Sequence, residues 1–227
     1  MIIINPYQFG SAPSSLLTGL TASYSLDGNA LKNVGSNDGT ATNITWATGK
    51  FGQAAVFNGT SKIIIPYSSD FVLGSSNWAI SIWVKRNTIN SRQVIYGQSN
   101  AAGQTASICI WLEFTSTNEV VIYIVTSSFS VITLTSSSTI TDSNWHNIIV
   151  QRNGATAEMF IDGSNVASDG TLSTSILNNP MRDLGIGCAD GFNSLLFNGS
   201  IDELNLWNGR YLTSTEITQL QTKAYPF

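Results

Sequence analysis

Trp78-Ala79-Ile80-Ser81-Ile82-Trp83-Val84-Lys85 decides the architecture of this chain. Trp78, Ile80, Ile82 and Val84 recur at every second position and share one face of an extended segment, while Ala79, Ser81, Trp83 and Lys85 share the other. That period belongs to a strand. A tryptophan on the second face implies that this face also is partly covered, or binds something. Working outward, Ala106–Phe114, Val120–Thr126 and Ser130–Thr135 are rich enough in β-branched and aromatic residues to be central strands, with Thr115-Ser116-Thr117-Asn118 as a hairpin loop between the first two. Ala157–Asp162, Gly163 and Asn165–Ala167 read as a second hairpin, whose Asp-Gly step supplies the positive φ angles of a tight turn. From Leu20 to Trp207 the chain is a succession of short strands separated by Gly, Asn, Ser and Asp turns, the pattern of an all-β sandwich. One helix stands apart. Thr213-Ser214-Thr215-Glu216 is a capping box, and Ile217 and Leu220 lie on one face of a helix of about two to three turns.

Composition narrows the functions. The chain has 227 residues, 42% of them hydrophobic and only 11% charged, so Ser, Thr, Asn, Gln and Gly must supply much of its exterior. Such a neutral polar surface suits multimeric assembly or contact with neutral sugars. The net charge of −4 and the lack of a Lys/Arg run exclude nucleic acid, which needs phosphates neutralised. No apolar run reaches membrane length, so no membrane insertion is expected. Met1-Ile2-Ile3-Ile4-Asn5-Pro6-Tyr7 has no basic n-region and too short an apolar run for a secretory leader. The chain as given is therefore expected to stay in the cytosol until something carries it outside. Cys109 and Cys188 have no metal-ligand spacing; two buried thiols are the expectation, with a long-range disulfide as the alternative.

Six short motifs follow one another in a fixed order: Tyr24-Ser25-Leu26-Asp27-Gly28, Gly52-Gln53-Ala54-Ala55-Val56-Phe57-Asn58-Gly59, the Trp78–Lys85 strand, Asn144-Trp145-His146-Asn147-Ile148-Ile149-Val150, Phe160-Ile161-Asp162-Gly163 and Phe197-Asn198-Gly199-Ser200-Ile201-Asp202-Glu203. Together they resemble the laminin-G-like, concanavalin A-like (pentraxin-like) β-sandwich family over roughly residues 16–222. The resemblance implies a two-sheet antiparallel jelly roll over residues 14–227 with one short C-terminal helix, and leaves residues 1–13 as an N-terminal arm.

Many such domains carry one calcium ion that ties the first strand to the last. The resemblance places Asp27 and Asp202 as side-chain ligands, with Asn58 or Gly59 offering a carbonyl, in keeping with the preference of hard cations for oxygen. The same residues also suit plain turn and capping roles. Glycoside hydrolysis, which the same sandwich supports elsewhere, needs two carboxylates about 5 Å apart across a sugar bond. Asp202-Glu203 are adjacent on a strand and point to opposite faces, and Glu113 and Glu119 read as solvated edge charges. His146 falls where the family commonly has Trp-His and is expected to pack, so no catalytic residue is expected. Sugar binding needs an exposed aromatic beside a few fixed polar groups. Asp190, Phe192 and Asn193 in the loop 189–194 are the candidates, with the loop 97–104, Trp83 and Trp111 as alternatives.

The arm carries Ile2, Ile3, Ile4, Pro6, Tyr7 and Phe9, and its Ile-Asn-Pro-Tyr-x-Phe start resembles that of structural proteins of tailed bacteriophages with laminin-G-like domains. The resemblance implies a non-enzymatic virion protein, a capsid decoration or tail adhesin, whose lectin-like domain meets glycans while its arm pairs with other virion proteins or with further copies of itself by strand addition. A secreted or surface bacterial carbohydrate-binding module is the alternative.

Overall fold

A computed structural model describes residues 14–99, 108–125, 130–172, 183–188 and 195–227. Every strand pairing in it is antiparallel. One sheet has eight strands. Seven run in the order β13 (Ser164–Asp169), β12 (Thr156–Ile161), β11 (Trp145–Asn153), β6 (Trp78–Arg86), β15 (Asn198–Asn208), β4 (Gln53–Asn58) and β3 (Thr45–Thr48), and β1 (Leu20–Tyr24) adds beside β15. The other sheet runs β10 (Val131–Thr139), β9 (Glu119–Val125), β8 (Ile108–Phe114), β7 (Gln93–Ser99), β14 (Leu184–Ile186), β5 (Lys62–Ile65) and β2 (Thr40–Thr42). The expected two-sheet jelly roll of the concanavalin A-like type is what the chain forms. Among the described residues no helix is long and apolar enough to cross a membrane.

The alternation read in β6 is carried through. Trp78, Ile80, Ile82 and Val84 lie in the main core with Ile110, Leu112 and Phe114 of β8 and Val120, Ile122 and Ile124 of β9. Sheets packed face to face bury these alternate positions in a layer about 10 Å thick. The opposite face of β6 is covered as well. Ala79 joins Ile149 and Trp207 in a second cluster, closed from outside by Leu16, Leu212, Ile217 and Leu220. Trp83 is sealed by the β3–β4 turn, with the Phe51 ring edge-on at 6.0 Å and Lys50 Nζ 4.3 Å from the ring centroid.

The helix α1 spans Ser214–Gln219, shorter than its capping box suggested, and both halves of that box are formed between Thr213 and Glu216. A helix under two turns is not stable by itself; Ile217 and Leu220 hold it on the sheet. The hairpin at Asp162-Gly163 forms with φ of 51° and 80°, which that dipeptide tolerates. In β15 the register shifts between Asp202 and Asn205, and Glu203 sits at φ 48°, so one extra residue bulges there. The bulge lies at the point where β15 passes from β4 to β1 as its outer neighbour.

Candidate functional site

The β3–β4 connection, Gly49-Lys50-Phe51-Gly52, closes with a hydrogen bond from Gly49 N to Gly52 O at 3.1 Å. Two carboxylates bind its outward amides. Asp27, just past β1, accepts from Gln53 N at 2.6 Å through Oδ1, and Asp202 of β15 accepts from Phe51 N at 3.0 Å through Oδ2. Glycine is required at both ends of the turn. A β-carbon on Gly52, already at φ 48°, would lie 2.1 Å from Asp27 Oδ1. One on Gly49 would lie 2.6 Å from Asp202 Oδ2 and Gln53 O and 2.7 Å from Phe51 O. Three oxygens thus converge on the face that Gly49 leaves open.

Asp202 is fully buried, and its Oδ1 has no hydrogen-bond partner among the described residues. Burial drives its pKa up and the nearby Asp27 adds to the rise; the Phe51 and Lys50 amides oppose it, and the net value is about 7. Among the described residues no set of three or more His, Cys, Asp or Glu side chains is gathered for a metal. A cation here would take two carboxylates and backbone carbonyls, a donor set that suits calcium and not zinc or other nitrogen- and sulfur-seeking metals. The turn and its two carboxylates therefore fit the expected ion.

Asn58 and Gly59 do not belong to this cluster. They sit at the far end of β4, where Asn58 pairs with Asn198, roughly 15 Å along the strand from Gln53. Asn58 Oδ1 accepts from Thr60 N at 2.9 Å and from Ser61 Oγ at 2.7 Å, and Gly59 N donates to Phe197 O at 3.0 Å. Both residues build the β4–β5 turn. The carbonyls that meet Asp202 come instead from Phe51 and Gln53, beside the Gly52-Gln53 start of a motif already visible in the sequence. The short Gly-Lys-Phe-Gly loop was the signal that could have located them.

The remaining acids have structural partners. Glu203 is buried and accepts from Tyr225 N at 3.0 Å, and burial, with Asp202 beside it, lifts its pKa to about 7. The bulge leaves Ile201 and Leu204 in the core and turns both acids outward, so they do not point to opposite faces as in a regular strand, but each serves a different backbone segment. Glu113 is not a solvated edge charge: its side chain is 1% exposed and takes Arg92 Nε at 2.7 Å. Glu119 does lie at the surface, accepting from Thr115 and Thr117. Glu113 stands opposite Val121, so the two glutamates do not face one another.

His146 is held more tightly than a packing residue. Nδ1 lies 2.7 Å from Asp162 Oδ2 and Nε2 lies 2.9 Å from Asp142 Oδ1. Burial lowers its pKa, but the two carboxylates outweigh that and the net shift is upward. A histidine with a raised folded-state pKa contributes stability that is fully present below its unfolded pKa of about 6.5 and is lost as pH rises through the folded value. Asp202 and Glu203 lose stability in the same direction between the ordinary carboxylate range and about 7, so the variant His146→Gln isolates the histidine. Melting curves between about pH 6 and about pH 9 should show the parent falling toward the variant as His146 deprotonates. A constant difference between the two would refute the assignment.

Trp83 and Trp111 offer no open stacking face. They are 4% and 6% exposed, and Trp111 packs with Val94, Tyr123 and Leu195. Asp190, Phe192 and Asn193, most of the loop 97–104, and the arm with Ile2, Ile3, Ile4, Pro6, Tyr7 and Phe9 lie outside the described residues. Of the two cysteines, Cys188 is buried.

Over residues 57–218 the chain matches the laminin-G-type family of the concanavalin A-like lectin/glucanases superfamily, and it belongs to that family. No curated protein matches it at a significant level. Domain 4 of AbnA, an extracellular arabinanase from Geobacillus stearothermophilus solved with arabinotriose, superposes with a TM-score of 0.66 at 22% identity, over 89% of this chain and 98% of that one. The binding domain of Paraclostridial Mosquitocidal Protein 1 gives 0.69 at 17% identity, over 89% of this chain and 52% of that one. The binding domain of botulinum neurotoxin DC, solved in complex with SialylT, gives 0.70 at 12% identity, over 91% and 52%. The chain spans about half the length of these two toxin domains. At such identities the likeness is one of fold.

Proposed function

We propose that this chain is a non-catalytic, calcium-braced carbohydrate-binding sandwich carried on a tailed-phage particle as a capsid decoration or tail adhesin. The observation that carries the binding reading is a sandwich of the lectin/glucanase superfamily whose adjacent acids, Asp202 and Glu203, serve backbone amides and the β3–β4 turn instead of a shared open cleft. Retaining hydrolysis needs two carboxyls facing one sugar bond about 5 Å apart. The arabinotriose and SialylT complexes of the fold neighbours support glycans as the ligand class. Calcium is placed between Asp27, Asp202 and the carbonyls of Phe51 and Gln53, where it fixes the first strand to the last. The loop with Asp190, Phe192 and Asn193 remains a candidate contact.

The virion assignment rests on the resemblance of residues 2–9 to phage structural proteins. In that reading the arm joins other virion proteins or further copies of the chain. A secreted carbohydrate-binding module is the second reading, favoured by the near-complete match to one domain of an extracellular arabinanase. Binding of the purified chain to an oligosaccharide array, with no release of reducing sugar, is the expected result; silence across the array, or hydrolysis, would remove the binding reading. Mass spectrometry of purified particles from the source lysate tests the rest. Detection at defined copy number supports the virion role, and complete absence passes the case to the secreted module.

A further inference from the structure

A groove opens on the outer face of the eight-stranded sheet, remote from the β3–β4 turn. Gln151 of β11 and Glu158 and Phe160 of β12 line its floor, while Tyr211, in the segment after β15, and Thr218 of α1 line the opposite wall. Its volume is about 460 Å³, within the span of about 300–1,000 Å³ usual for small-ligand clefts.

The floor is pre-set by hydrogen bonds. Gln151 Nε2 donates to Glu158 Oε2 at 2.9 Å, and Gln151 Oε1 accepts from Leu212 N at 2.9 Å. With both ends of that amide used, the Glu158 carboxylate is fixed by one oxygen, and its Oε1 is left for the groove. Asn153, at the exposed end of β11, lines the same space and makes no side-chain hydrogen bond among the described residues. Tyr211 is 37% exposed, a large aromatic left open where Trp83 and Trp111 are covered. Phe160 is half-buried opposite it. An aromatic face beside fixed hydrogen-bonding groups is what a sugar ring needs: C–H bonds stack on the ring and hydroxyls meet the polar atoms. The lining contains Glu158 and no Lys or Arg, which disfavours sugar acids and phosphates.

We propose that this groove is a subsite for a neutral saccharide, stacked on Tyr211 and hydrogen-bonded through Glu158 Oε1 and Asn153. The proposal rests on the glycan-binding reading above but places a contact on the outer face of the eight-stranded sheet.

The test uses the whole chain. An array of neutral and acidic oligosaccharides selects a neutral binder, which is then titrated calorimetrically against the parent, Tyr211→Ala, Thr218→Arg and Phe192→Ala. Loss of one stacking face, or a bulky side chain set in the groove, should weaken binding by about tenfold or more, with unchanged melting temperatures because both positions are exposed. Parental affinity in both groove variants would overturn the subsite while leaving glycan binding intact. A preference for acidic sugars would overturn the neutral assignment. A parent that binds nothing on the array would remove the glycan reading, and the groove's role with it.

Discussion

Calcium added to metal-free protein should raise the melting temperature by about 10 °C. At a thousand times its Kd a ligand that binds only the native state contributes about 4 kcal/mol, and a domain of this size gains about 2–4 °C per kcal/mol. The cradle is pre-formed, since Phe51 and Gln53 already point their carbonyls at the face left open by Gly49. Asp202 is also costly to bury as a carboxylate without a counter-charge, which is why its pKa rises to about 7. The variant Asp202→Asn keeps an acceptor for the Phe51 amide and removes the charge. Its metal-free form should melt no lower than the parent above neutral pH, and its response to calcium should vanish. Superimposable melts of the parent in excess chelator and in excess calcium would dispose of the metal.

The second large effect is expected at Arg86, which is 1% exposed and faces no carboxylate among the described residues. Nη1 donates to Asn118 Oδ1 and Ile140 O at 3.1 Å each, Nη2 donates to Ser91 O at 3.3 Å, and the guanidinium carbon stacks 4.1 Å from the Phe114 ring centroid. Burial lowers its pKa to about 10, which leaves it charged at neutral pH. Two effects of Arg86→Met compete. Removing a buried charge returns its desolvation cost, but two carbonyls from separate loops, Ile140 O and Ser91 O, lose their donor, at about 1–3 kcal/mol for each that stays buried. Asn118 stays satisfied, tied to Asn90 by two bonds of 2.7 Å, so the cost falls on the two carbonyls and on the lost contact with the Phe114 ring, and together these outweigh the returned desolvation. A loss of about 3–4 kcal/mol, read as a fall of roughly 10 °C in melting temperature, is expected. A fall below about 2 °C would mean that water or local shifts satisfy those acceptors.

The parts of this fold legible in the sequence were those written in local period and turn chemistry. The β6 alternation, the Asp162-Gly163 turn and the Thr213–Glu216 capping box each depend on neighbours within a few residues, and each forms where read. Strand ends moved by one to four residues: β9 begins at Glu119, β13 runs to Asp169 and β10 runs to Thr139 where Thr135 was expected, because pairing partners, not propensity, end a strand. Contacts across the sheets were not legible. Nothing near Glu113 announces Arg92, and nothing near His146 announces Asp162 across a hairpin turn. Asp27 and Asp202 were found through motif order, but motif order gave no depth along β4. Asn58 and Gln53 belong to one strand motif, and nothing in that motif says which end lies beside Asp202. The open Tyr211 was not legible either, because a single tyrosine between a strand and a helix has no period to betray its exposure.

One arrangement bears on how the domain carries load. The carbonyl of Leu16 accepts from Trp207 Nε1 at 2.7 Å, β1 pairs Leu20 with Trp207, and the ring of the final residue, Phe227, lies 6.1 Å from the same indole. The two ends of the described chain thus meet at one corner, where Arg210 Nη1 also donates to Ser15 O and Thr18 O and Tyr225 N donates to Glu203. Tension entering at one end and leaving at the other would pass through that corner, peeling β1 and the C-terminal tail from β15 while the rest of the two sheets stayed slack. Mechanically the sandwich is a pendant hung from one corner.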